Sequence, residues 1–168
     1  KVDFDSLKAI HYRVLEGLEK LVTLFPLGND SLKYAAYKKY NLQIKSMTYD
    51  PYSSSIESVV NSNAIQLIQD ENLQKYLVSW KDVFRDYKED ENTYYGYLND
   101  FLWPYYRDVF DYTQKDTAMN LAARNSIKFQ NMIITRRDNL RGIISAIEEE
   151  PIENHIKEII RLTQPKDQ

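Results

Sequence analysis

Cysteine is absent from this 168-residue chain. Its absence excludes disulfides, thiolate zinc sites, iron–sulfur clusters and cysteine nucleophiles. Glycine and proline are scarce, with four and five residues. So few turn formers favour long helices over many short strands. The scattered glycines build no G-x-S-x-G elbow, no P-loop and no dinucleotide fingerprint, so no phosphate cradle is expected. No apolar run approaches the ~20 residues a spanning helix needs, and no signal peptide is visible. Because the chain opens on Lys1 rather than methionine, we expect it to be processed or cut from a longer chain, any anchor or targeting segment then lying upstream.

Only two histidines are present. A metal site needs three or four ligands, and the one ligand-like pair is His155 with Glu158. No Glu-x-x-His occurs, which excludes a di-iron bundle. Both histidines are read as surface residues, with no metal and no cofactor. Glu148, Glu149 and Glu150 read as a solvated helix end near a turn or a cation. The net charge is -3 and the pI about 5.5. The basic clusters, Lys38–Lys39 and Arg136–Arg137 with Arg141, are too short for a nucleic-acid face and read as solvated helix surface.

What the chain does have is helical periodicity. Apolar residues make up 43% of it and charged residues 28%, ordinary values for one globular domain. Phe4, Leu7, His11, Val14, Leu18, Leu21 and Phe25 alternate steps of three and four, which predicts a helix over 3–25. Pro26 and Gly28 break it, and Asp30 or Ser31 caps a second helix with Leu32, Ala35, Ala36, Tyr40 and Ile44 as its apolar positions. Tyr49 and Pro51 pin a turn before a short helix near 54–61. The stretch VVNSNAIQLIQDENL then interrupts itself twice. Asn63 is predicted to end the short helix at positive φ, Ile65 and Ile68, or Leu67, to plug the core, and Asp70 to cap the next helix.

That helix carries Leu73, Leu77, Trp80, Phe84, Tyr87, Glu91, Tyr94, Leu98, Phe101 and Tyr105 on one stripe, with a kink at Pro104. After a turn near 113–117, Asp116 or Thr117 caps one long helix to Glu149. Its stripe is Met119, Ala122, Ser126, Phe129, Ile133, Arg137, Leu140, Ile144 and Ile147. Pro151 starts a last helix with Ile152, Ile156, Ile159, Ile160 and Leu162, and residues 164–168 fray.

The block from Tyr49 to Trp80 resembles a segment of an uncharacterised family of envelope proteins. In that family a membrane helix precedes an extracytoplasmic helical domain. Tyr49 and Pro51, Ser62-Asn63 in place of Ser-Gly, the plug Ile65, Leu67 and Ile68, and the helix start Asp70, Leu73 and Leu77 carry the resemblance. Phe129, Asn131, Arg136 and Asn139 match the family's aromatic, asparagine and arginine pattern further on. The resemblance implies an anchored domain on the periplasmic side of a membrane, touching that membrane only through an upstream helix. It transfers no catalytic residue.

Two features remain as candidate sites. The first is the aromatic crowd over residues 94–112. Tyrosine and tryptophan suit half-wet surfaces, and Tyr95, Trp103, Tyr105 and Tyr106 are the proposed binding patch, weighed against a thick core and a small-molecule pocket. The second is a pair of charges inside apolar stripes. An antiparallel hairpin centred near residue 114 would oppose Glu91 and Arg137 as a buried ion pair.

The expectation is therefore all-α: one domain over 1–168, a bundle of three to four long antiparallel helices with short accessory helices. Its expected role is non-enzymatic, through contacts with a protein partner or a second copy, without nucleic acid. The alternative is a bundle that senses a small molecule in an enclosed pocket near Trp103, with Arg107 or Arg137 as its charged group; separately, Arg136 or Arg137 is a candidate to hold a ligand carboxylate.

Overall fold

Every regular element among the described residues is helical. The structure is a computed structural model and describes residues 2–41, 47–51, 53–114 and 117–164. No helix among them is long and apolar enough to cross a membrane.

Helix α1 (Val2–Thr23) buries Phe4, Leu7, His11, Val14, Leu18 and Leu21 on one face, as the spacing predicts. Gly28 then takes φ 58°, a left-handed value that other residues resist. The Asn125 carboxamide clamps this turn, accepting from Gly28 N at 2.8 Å and donating to its carbonyl at 3.1 Å. Asp30 caps α2 (Ser31–Asn41) by accepting from Leu32 N and Lys33 N. The buried residue of α2 is Tyr37, whereas Leu32 is 80% exposed. Ile44 lies outside the described residues.

The interrupted stretch is punctuated differently from expectation. Helix α3 (Ser54–Val60) ends on Asn61 in right-handed conformation, and no non-glycine residue among those described has positive φ. Ser62 makes the break instead. Its hydroxyl accepts from Ala64 N and starts a 3-10 turn over Asn63–Leu67. That turn is no core plug: Leu67 is 82% exposed, and Ile65 and Ile68 are half-buried. The Gln74 carboxamide secures it by donating to the Ile65 and Ile68 carbonyls. Asp70 caps α4 (Glu71–Tyr97) as predicted, accepting from Asn72 N and Leu73 N.

Beyond α4 the helix widens into one π turn, Leu98–Leu102, before α5 (Trp103–Val109). Trp103 N donates to the Leu98 carbonyl five residues back. The inward positions after Leu98 therefore become Leu102 and Tyr105, while Phe101 is 59% exposed. The irregularity expected at Pro104 is a wide turn just before it.

The next predicted helix is two helices. Thr117 caps α6 (Ala118–Asn125) by accepting from Asn120 N; Asp116 lies outside the described residues. Ser126 is extended, and its hydroxyl accepts from Phe129 N to start α7 (Ile127–Glu149) while donating back to the Ala123 carbonyl. Helix α6 buries Asn120 and Ala123 rather than Met119 and Ala122. Pro151 precedes α8 (Ile152–Thr163), which buries Ile152 and Ile156.

Helix α7 packs against both α1 and α4. Lys8 meets Glu153, and Glu19 meets Arg141, so α1 descends as α7 climbs. Along the second seam Ser79 meets His155, Tyr94 meets Arg136, Tyr97 meets the Met132 carbonyl and Tyr105 meets Ser126. The limb from α4 to α5 thus runs antiparallel to the limb from α7 to α8. Serving two neighbours explains why α7 buries a wide face, from Phe129 and Ile133 through Leu140, Ile143 and Ile147.

Candidate functional site

Along α4 and α5, residues 94, 98, 102 and 105 point inward, and the rings between them fall on the flanks. Tyr94 and Tyr105 are buried, Tyr95, Tyr97 and Tyr106 are packed part-way against the core, and Trp103 is 39% exposed. Of Tyr95, Trp103, Tyr105 and Tyr106, only Trp103 is an exposed ring. Phe101 and Tyr112 are the further exposed rings of this segment.

The exposed rings sit on a rigid base. Phe101 stacks on Tyr97 with centroids 5.7 Å apart, and the Tyr97 hydroxyl donates to the Met132 carbonyl of α7 at 3.1 Å. Trp103 packs on Tyr106 at 5.7 Å and lies 5.9 Å from the Arg136 guanidinium, a cation–π distance. Arg136 is only 2% exposed, and its Nε donates to the Tyr94 hydroxyl at 3.2 Å.

A second arginine underlies the same end. Arg124 donates from Nη1 to the Tyr34 hydroxyl at 2.9 Å. Its guanidinium lies between 5.2 and 5.6 Å from the rings of Phe110, Tyr34 and Tyr37. Burial raises the Tyr37 phenol, and burial together with the neighbouring Tyr37 raises Tyr106 well above the ordinary tyrosine value. These phenols stay neutral, so the cluster offers flat rings and hydrogen bonds rather than a proton-transfer group.

Glu91 is fully buried, but Arg137 is not its partner. The carboxylate accepts from Tyr49 N at 2.7 Å, from the Tyr87 hydroxyl at 3.1 Å and from Lys88. Lys88 also reaches Asp50 at 3.1 Å. Arg137 pairs with Asp138, and Glu91 and Arg137 form no ion pair. The arginine that faces inward is Arg136, three residues after Ile133 rather than four. Glu91 therefore ties the turn at Tyr49 to α4 instead of fixing the hairpin register.

The remaining sequence candidates also find places. His11 is buried, not on the surface as expected. His155 is half-buried on α8 and bonds Ser79 of α4. No group of three or more metal-ligating side chains occurs among the described residues. Glu148 accepts from Tyr12, and Glu150 faces Asp86 and Asp90 rather than a cation; burial, with those like charges, raises its carboxyl. Arg107 is exposed. Sequence reasoning missed Tyr34, Tyr37 and Arg124, and the only signal available was two tyrosines three apart on α2. Apolar clefts open at the other end of the molecule, where Tyr49, Pro51, Ile56, Trp80 and Ile156 meet.

No family model, curated protein or solved structure matches this chain.

Proposed function

We propose that this chain is a non-enzymatic helical interaction domain, docking a protein partner or a second copy through exposed rings at its aromatic end. The observation that carries the reading is the π turn. It takes Phe101 out of the buried register and, with Trp103, leaves large rings in water on a hydrogen-bonded base. π turns are rare and cluster at functional sites, and exposed tryptophan and phenylalanine are enriched where proteins meet.

The resemblance over Tyr49–Trp80 and Phe129–Asn139 supports placing the domain on the outer side of a membrane, held by an upstream helix. The two antiparallel seams of α7 support a bundle of three to four long antiparallel helices with short accessory ones.

A thermal-shift screen against amino acids, sugars, short peptides and envelope metabolites tests this reading against small-molecule sensing. A ligand at a hundred times its Kd adds about 2.7 kcal/mol, or roughly 5–10 °C at this size. No compound is expected to give such a shift in a Trp103-dependent way. A shift of that size, lost in Trp103→Ser, would replace the interaction reading with the sensing one.

A further inference from the structure

Helix α2 belongs to a stretch without acidic residues. From Ser31 to Tyr49 the sequence has four lysines and no aspartate or glutamate, in a chain whose net charge is -3. Tyr37 faces the core, so Ser31, Leu32, Ala35, Lys38 and Lys39 fall on the opposite, exposed side of the helix. Lys38 and Lys39 stand in its last turn, where the helix dipole favours cations. Tyrosine rings hold them there. Lys38 Nζ lies 4.9 Å from the Tyr34 ring and Lys39 Nζ 6.0 Å from the Tyr40 ring, both cation–π distances. Arg124 of α6 adds a cation 5.5 Å from Tyr34.

The carboxylates that neighbouring described residues bring are engaged. On α1, Glu16 is bound by Lys20 and Glu19 by Arg141. Asp30 accepts from the Leu32 and Lys33 amides at the far, N-terminal end of α2. Asp111, next to the Phe110 ring that packs on Arg124, accepts from Thr113.

The outward face is therefore apolar at Leu32, small at Ala35 and cationic at Lys38 and Lys39, along about 16 Å of helix. A nucleic acid needs cations repeated along its phosphates, but here they gather at one end. A lipid surface needs a broad apolar face to enter it, and Leu32 is the exposed large apolar residue of α2. We propose that this face docks an acidic segment of a protein partner, with carboxylates on Lys38 and Lys39 and an apolar side chain on Leu32 and Ala35. The face excludes Phe101 and Trp103, so losing it would leave the docking role of those rings standing.

The probe is a fluorescently labelled helical peptide of glutamate, alanine and leucine, acidic on one face, titrated with the full chain and followed by anisotropy. Its glutamine counterpart, phosphatidylglycerol vesicles and single-stranded DNA are run beside it. Saturable, salt-sensitive binding of the acidic peptide alone is expected. It should weaken about tenfold in Lys39→Glu, disappear in Ala35→Glu, which sets a carboxylate at the centre of the face, and persist in Lys81→Glu on α4. Far-UV circular dichroism checks that each variant keeps its helices. No binding of the acidic peptide, equal binding by Ala35→Glu, or binding of vesicles or DNA in its place overturns the site.

Discussion

His11 is 1% exposed, and its Nε2 has no hydrogen-bond partner. Desolvation lowers its pKa from 6.5 to about 4, so the folded chain holds the ring neutral. Above pH 6.5 the ring is neutral folded or unfolded and stability is unaffected. Between 6.5 and about 4 the unfolded chain takes up the proton first, and stability falls with pH. Urea unfolding should show about 2 kcal/mol lost by pH 5 through this group, and His11→Leu should abolish that part of the slope. An unchanged slope in the variant would remove His11 from the account. Glu91 gives a second contrast. Glu91→Ala strands the buried Tyr49 amide and Tyr87 hydroxyl and should cost about 3 kcal/mol. Arg137→Ala, which breaks a surface pair with Asp138, should stay within about 0.5 kcal/mol.

The elements divide into those whose signal is local and those whose position depends on a neighbour. The face of α1 and the caps at Asp30, Asp70 and Thr117 were readable because residues two to four positions away decide them. Ser126 was not. In spacing it continues a helical stripe, and only its extended backbone and bonds to Ala123 and Phe129 show the break. Ser126→Ala should cost about 1–2 kcal/mol in denaturant unfolding, as a cap does; a neutral result would mean that the break rests on packing alone. That Arg136 and Leu102 face inward was missed for a related reason. Steps of three and four flank the same line on a helix, and tertiary packing chooses between them. The exposed rings of the candidate site were legible as an aromatic excess, but not which rings face water, because a one-turn widening before Pro104 decides that.

At the scale of the molecule, α7 sits between two antiparallel neighbours and carries the densest buried face. Leu140, fully buried there, should cost about 2–5 kcal/mol on replacement by alanine, read as a lowered midpoint with an unchanged denaturant slope. The Tyr94–Arg136 and Tyr97–Met132 contacts lie within a few residues of the opposition expected for a hairpin centred near residue 114. Phe101 and Trp103 contribute little to that framework and are free to serve a contact. The most direct test is site-specific photo-crosslinking in intact cells, with benzoylphenylalanine at position 101 or 103 and, as controls, at the exposed Lys81 and Glu149. The account expects a discrete adduct, of a second copy or one partner, from positions 101 and 103 only. Absence of adducts at both positions, or equal adducts from the controls, would contradict it.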